Sequence, residues 1–247
     1  LCEGVTVAFA ESLETIARDL RMIKPTIMTG VPRVYEKVQA RVLESVAQAS
    51  AIRRKIFGWA ISAGWSRASR QFANQSVPWY IRIQNLLANR MVFRKIRART
   101  GGRLRLIVSG GAPLGISTAE FFCAIGMPIV EGYGLTETAP VLTLNPPEAV
   151  RIGTVGKAIP GVDLKVAPDG ELLARGPNVM QGYYGKPDAT AEVIRDGWFH
   201  TGDIGNIDDD GYVTITDRKK DILVTSNGKN VATVSYTHLT LPTILLV

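Results

Sequence analysis

Apolar residues recur at helical spacing along the first part of this chain, and a change of character divides it. Leu13, Ile16, Ala17 and Leu20 fall at helical spacing behind Ser12, which reads as an N-cap, predicting a helix over 12–24. KPTIMTG (24–30) reads as a short buried strand after a proline break. In VPRVYEKVQARVLESV (31–46) Val34, Val38, Val42 and Val46 repeat every four residues and Pro32 fits a first helical turn. Residues 51–99 keep a helical pattern, broken near Pro78. RLRLIVSGG (103–111) predicts a strand entering a glycine turn, 114–125 a helix, and MPIVEGYG (127–134) a second strand entering a loop. Strand, turn and helix in alternation are the pattern of a layered α/β domain.

After Pro147 the character changes to that of a β-rich segment. GVDLKVAPDGELLARG (161–176) predicts a hairpin with its turn at Pro168-Asp169-Gly170. NIDDDGYVTITDR (206–218) predicts another around Asp210-Gly211, and DILVTSNGKNVA (221–232) a third around Asn227-Gly228. The fold class expected is α/β: a partial sheet-and-helix large domain (1–149) carrying a β-rich, barrel-like subdomain (150–219). The hinge and first strands of a small α+β C-terminal domain follow at 220–232.

Composition adds little until charge is mapped. At 46% hydrophobic and 21% charged, the chain has ordinary globular balance, and Cys2, Cys123 and two histidines supply neither a disulfide scaffold nor a metal cluster. There is no signal peptide and no apolar run of membrane-spanning length. The net charge of +7 is concentrated: no acid stands between Glu44 and Glu120, while 13 of the 29 basic residues lie at 53–105, together with Trp59, Trp65 and Trp79. Clustered arginine with tryptophan suits an anionic membrane surface, and the alternative is a solvated helical face. Nucleic acid is not expected, because no recognised module appears and the remaining charge is acidic.

The candidate chemistry sits in three segments read as turns: SGGAPL (109–114), GYGLTET (132–138) and HTGD (200–203). Two of them follow predicted strands, where open α/β sheets bind ligands. Tyr133 offers a face for a base, Thr136 and Thr138 hydroxyls for phosphate, Glu137 a carboxylate for Mg²⁺, and Asp203 an acceptor for sugar hydroxyls. DRKKD (217–221) adds the Arg218 guanidinium. Singly, each also reads as a plain turn, cap or ion pair, and His200 as a structural side chain.

The ordered set resembles the adenylate-forming superfamily. Its signatures stand here as Tyr133-Gly134-Leu135-Thr136-Glu137, Gly197-Trp198-Phe199-His200-Thr201-Gly202-Asp203 and Asp217-Arg218-Lys219-Lys220-Asp221. KPTIMTGVPRVYEKV, VSGGAPL and ITDRKKDILVTSNGKNVA resemble the long-chain fatty acid–CoA ligase branch over residues 1–232. The resemblance implies ATP-dependent activation of a long-chain fatty acid to acyl-AMP, then thioester formation with coenzyme A. It implies that Gly111, Ala112 and Pro113 line an adenine and acyl pocket and that Tyr133 stacks on adenine beside Gly134. It further implies that Thr136 meets the α-phosphate, Glu137 binds Mg²⁺, Asp203 and Arg218 hold the ribose, and Lys220 is the hinge. The expected location is cytoplasmic, peripheral on the inner face of the membrane through 53–105.

Two family elements are absent from residues 1–247: the Ser/Thr/Gly-rich phosphate loop and the small-domain lysine. A chain opening on Leu1 is expected to be an internal piece of a longer protein, nearly inactive alone. TVSYTHLTLPTILLV (233–247) reads as a non-native tail, with an apolar strand as the alternative. The competing functional readings are a non-catalytic surface for nucleotide or anionic membrane, and an adenylate-forming ligase for another carboxylate.

Overall fold

The computed structural model describes residues 4–12, 14–219, 222–224 and 230–232. They divide into two compact units. One runs to Gly132 and adds Asn145–Gly153; the other takes Tyr133–Leu144 and continues from Thr154.

The first unit has the alternating order its periodicity predicts: α1 (Ile16–Ile23), β1 (Ile27–Gly30), α2 (Pro32–Ala47), α3 (Ala51–Phe72), α4 (Trp79–Ala88), a π-turn at Asn89–Phe93, α5 (Arg94–Ala98), β2 (Leu106–Ser109), α6 (Ile116–Ala124) and β3 (Ile129–Tyr133). The three strands are parallel, with Ile27 opposite Leu106 and Ile107 opposite Ile129. Pro32 opens α2, where its missing N–H is no loss. The core gathers Tyr35, Phe93, Ile107, Phe122, Met127 and Ile129, all at most 1% exposed. Tyr35 also donates its hydroxyl to the Val108 carbonyl at 2.9 Å, tying α2 to β2.

Small residues on α3 set its distance from α6. Ala60, Ala63, Gly64 and Ala68 are its buried positions, and a Cβ on Gly64 would stand 2.2 Å from the Ala124 carbonyl oxygen. Trp65 packs against the core and is thus not part of an exposed aromatic face, contrary to its grouping with Trp59 and Trp79. Ser12 does not cap a helix: it exchanges hydrogen bonds with Thr15, and α1 begins only at Ile16. The 24–30 strand forms but is not buried, since β1 is an edge strand and Ile27 is 56% exposed.

The second unit is built from β4 (Thr143–Leu144), β5 (Lys157–Ala158), β6 (Asp163–Val166), β7 (Glu171–Arg175), α7 (Pro187–Val193), β8 (Ile194–Arg195), β9 (Trp198–Ile207), β10 (Val213–Arg218), β11 (Ile222–Val224) and β12 (Asn230–Ala232). Its main sheet has the order β10–β9–β7–β6, with β8 paired on β9. This sheet is open, with no closing pair between β6 and β10 among the described residues. The two hairpins predicted at 161–176 and 206–218 form, with Gly170 (φ 85°) and Gly211 (φ 83°) in the left-handed conformation their turns need. β11 pairs antiparallel with β12, while Asn227 and Gly228 lie outside the described residues.

Candidate functional site

β3 delivers Tyr133 into a loop whose shape is set by its own residues. Gly134 is required sterically, because a Cβ there would lie 1.8 Å from the Pro140 carbonyl oxygen. A short 3₁₀ turn, Thr136–Thr138, follows. The Leu135 amide donates to Thr138 Oγ1 at 2.9 Å, and Thr138 is fully buried. Its hydroxyl is therefore spent inside the loop, which removes Thr138 from the candidate phosphate contacts. Thr136 remains exposed and Glu137 half-buried.

Residues distant in sequence hold this loop. Asn178 Nδ2 donates to the Thr138 and Val141 carbonyls at 2.8 and 2.7 Å, and the Met180 amide donates to the Glu137 carbonyl. The Tyr183 hydroxyl donates to Glu137 Oε1 at 2.9 Å, and that bond to a carboxylate raises the phenol's pKa. Sequence reasoning missed Asn178 and Tyr183. Neither lies in a recognisable motif, and Tyr183 meets Glu137 across a separation of 46 residues.

Asp203 comes from β9, and here the sequence reading needs correction. His200-Thr201-Gly202-Asp203 is not a turn but part of a ten-residue strand. Its glycine marks a bulge. Glu171 faces Ile204 and Leu173 faces His200, so three residues of β9 oppose Leu172 alone, and Gly202 takes φ 74°. Thr201 donates to the Leu172 carbonyl at 2.7 Å, and Gly202 N–H to Glu171 Oε1 at 2.9 Å. The bulge leaves Asp203 with a carboxylate only 5% exposed.

Two predicted residues converge on that carboxylate. The Tyr133 hydroxyl donates to Oδ2 at 2.6 Å, and Arg218 Nε lies 3.2 Å from Oδ1, brought there by the β9–β10 register that pairs Arg218 with Asp203. Burial, reinforced by the Asp203 charge, pushes the Tyr133 phenol well above its ordinary pKa, so it remains a donor. A carboxylate accepts about four hydrogen bonds. With one donor on each oxygen, Asp203 retains capacity for the vicinal hydroxyls of a sugar. Arg218 is mostly exposed and positively charged beside it.

Beside this group Glu171, buried on β7, accepts from His200 Nδ1 at 3.0 Å and from Lys219 Nζ at 2.9 Å, while Lys219 also reaches Asp169. Burial alone would raise the Glu171 pKa; the bonds from His200, Lys219 and Gly202 outweigh it and hold the carboxyl below the glutamate range. His200 thus has the structural partner its plain reading expects.

In the first unit, Gly111, Ala112 and Pro113 are exposed in the turn after β2, with Gly111 at φ 82°. The Leu114 amide donates to Glu131 Oε2 at 3.2 Å, and burial raises the Glu131 pKa against that bond. Lys220 lies outside the described residues.

Among the described residues no cluster of three or more metal-ligating side chains exists. Mg²⁺ does not need one: it is commonly held by one or two carboxylates together with substrate phosphates. Glu137 fits that role, with Oε1 oriented by Tyr183 and Oε2 without a protein partner among the described residues.

The family model for AMP-binding enzymes matches residues 1–184. Among curated proteins the chain is similar to a long-chain-fatty-acid–CoA ligase of Mycobacterium bovis, 43% identical over 229 residues, covering 92% of this chain and 38% of that protein. It is also similar to long chain acyl-CoA synthetase 1 of Arabidopsis thaliana, 36% identical over 251 residues, covering 93% and 36%. Among solved structures it is similar to ATP-bound MatB of Rhodopseudomonas palustris, with TM-score 0.59 and 30% identity over 90% of this chain and 36% of that one. It shares the fold of o-succinylbenzoate coenzyme A synthetase of Bacillus subtilis in complex with AMP, with TM-score 0.61 and 20% identity over 94% and 39%. The chain therefore spans a little over a third of the length of the curated relatives it matches.

Proposed function

Because the chain belongs to the AMP-binding enzyme family, we propose that it forms part of an ATP-dependent long-chain fatty acid–CoA ligase. The observation that carries this reading is the convergence of Tyr133 and Arg218 on the buried Asp203 carboxylate. Such a group suits a ribose, with the tyrosine ring beside it for the base. In the reading, a fatty carboxylate oxygen bonds to the α-phosphorus of ATP as the α–β bridge breaks, yielding acyl-AMP and pyrophosphate. The coenzyme A thiol then loses its proton, sulfur bonds to the acyl carbon, and AMP leaves.

The residues divide the work. Asp203, Arg218 and Tyr133 fix the nucleoside and so place the reacting phosphorus, using binding energy remote from the bond that changes. Gly134 permits the tight loop, and Thr136, exposed at its tip, offers a hydroxyl to the α-phosphate. Glu137 would hold Mg²⁺, whose charge eases the approach of a carboxylate to a polyphosphate by several kcal/mol. Gly111, Ala112 and Pro113 would line the adenine and acyl pocket, and Lys220 would serve as hinge.

The test is ATP–pyrophosphate exchange driven by palmitate in the complete polypeptide. Glu137→Ala is expected to lower exchange at least about a hundredfold, since about 1.4 kcal/mol corresponds to tenfold in rate. Unchanged exchange removes Glu137 from the metal site. Exchange driven by a short dicarboxylate but not by palmitate would replace the fatty acid with another carboxylate.

A second reading concerns location. α4 leaves Trp79, Ile83, Leu86 and Leu87 exposed, with Arg82, Arg90 and Arg94 in the same stretch. No helix is long and apolar enough to cross a membrane among the described residues. We infer peripheral contact with an anionic membrane, from the cytoplasmic side.

A further inference from the structure

At the amino ends of the parallel strands β2 and β3 lies an open cavity of about 460 Å³. Three guanidiniums line it, Arg97 from α5 and Arg103 and Arg105 from the segment leading into β2, and no acid does.

Arg97 is half-buried, yet its donors go to neutral acceptors. Nη1 donates to the Ile125 carbonyl at 2.7 Å and Nη2 to Asn89 Oδ1. It has no carboxylate partner among the described residues, and the charge that acts on it is that of a further cation, Arg67. Charges withdrawn from water are normally paired, because the lost hydration is costly. The glycines of the lining keep this guanidinium open to the cavity. Gly126 is exposed at φ 75°, and a Cβ there would stand 3.0 Å from Arg97 Nη1. Gly102, also at φ 75°, has open space where a side chain would start.

Arg103 and Arg105 are exposed, and neither has an ion pair among the described residues. Three like charges about one cavity repel each other, and an anion of more than one charge offsets that repulsion best. A carboxylate brings a single charge. A phosphomonoester brings nearly two and three acceptor oxygens, a match for guanidinium forks.

We propose that this cavity binds a phosphomonoester group, with Arg103 and Arg105 holding its oxygens and Arg97 supplying the charge beneath them. Gly111, Ala112 and Pro113 follow β2 at its carboxyl end, so the site lies at the other end of the strands from the turn proposed to face adenine. It shares no residue with the proposed catalytic set or with the exposed face of α4, and therefore stands apart from both the ligase reading and the membrane contact.

Inorganic phosphate and the phosphate of a lipid headgroup both carry this chemistry. Equilibrium dialysis of the 247-residue chain against radiolabelled inorganic phosphate should show saturable binding. Competition by glycerol 3-phosphate and by monomeric dioctanoyl phosphatidate separates the sources. Equal competition by both identifies the phosphate group alone as the ligand, and tighter binding of phosphatidate identifies a lipid. Acetate should compete at least about tenfold more weakly than phosphate, having one charge and fewer oxygens.

Arg103→Gln with Arg105→Gln should weaken phosphate binding at least about tenfold, the loss expected from charge-assisted hydrogen bonds. Arg53→Gln with Lys55→Gln removes the same charge from exposed positions of α3 and should leave affinity unchanged. Circular dichroism should match the unsubstituted chain in both variants. The proposal is overturned if phosphate binding is not saturable, if the Arg103 and Arg105 variant keeps its affinity, if the α3 variant loses as much, or if acetate competes as well as phosphate.

Discussion

A carboxylate as enclosed as that of Asp203 needs donors, and the geometry supplies one for each oxygen. The two are not equal. Arg218 is 69% exposed, so solvent screens its pairing, whereas the Tyr133 hydroxyl is bonded within a largely buried site. Tyr133→Phe should therefore cost about 1–3 kcal/mol in urea denaturation, because it leaves a buried oxygen without its donor. Arg218→Ala should cost less. Equal losses would show that the guanidinium holds the carboxylate as strongly as the phenol does. Glu171 gives a pH prediction. Its folded pKa is depressed, so its contribution is present above the unfolded value of about 4.3 and is lost as pH falls through the folded one. Glu171→Gln should flatten the loss of stability as pH falls below the ordinary glutamate range, and parallel slopes would remove Glu171 as its source. Tyr133, Glu137, Asp203 and Arg218 were legible because each sits in a short motif. Glu171, Asn178 and Tyr183 were not, because each acts through a bond between segments that only the folded backbone brings together.

Elements were legible where one period persists. The valine repeat of α2 and the β6–β7 hairpin survive into the structure, although β7 is buried at four consecutive positions and not at alternate ones. β9 was misread in part because a glycine between polar residues looks the same in a turn and in a bulge; the distinction depends on what Leu172 faces across the sheet. β8 was missed although its signal was present. Asp196-Gly197 forms a two-residue connection to β9 with both φ positive, 50° and 75°, which is the type I′ arrangement. Gly197→Ala should cost about 1–2 kcal/mol, read by thermal or urea unfolding, because a Cβ is disfavoured at that φ although nothing crowds it. Gly64→Ala tests the opposite case: its backbone is helical, but its Cβ would strike the Ala124 carbonyl. The backbones of α3 and α6 must move apart, for a loss on the order of 3 kcal/mol. A gain in stability from improved helix propensity would show that the contact between α3 and α6 is loose.

On the scale of the molecule, the uneven charge acquires a physical form. Some of the basic stretch is internal: Arg97 donates to the Ile125 carbonyl at 2.7 Å and to Asn89, and burial followed by repulsion from Arg67 lowers its pKa. Trp65 likewise belongs to the core. What remains outside is spread along the stretch, with Arg53, Arg54 and Lys55 exposed on α3, and at α4 Arg82 stands beside Trp79, 73% exposed, and Leu86, 66% exposed. An apolar helical face among arginines is costly to leave in water, and the partner proposed for it is an anionic bilayer, which would take the Trp79 ring at its interface and meet the guanidiniums with phosphates. Each basic side chain near such a surface contributes about 1 kcal/mol, and the attraction falls off within a Debye length. Co-sedimentation should therefore retain the chain on vesicles containing phosphatidylserine and release it as salt rises. Arg82→Glu with Arg90→Glu should abolish retention without unfolding, since both side chains are outside the core. Trp79→Ser with Leu86→Ser should weaken it while leaving the salt dependence in place, because those residues supply burial and not charge. Retention equal on neutral vesicles, or insensitive to salt, would reject the surface as electrostatic and leave α4 as a helical face covered by some other apolar partner.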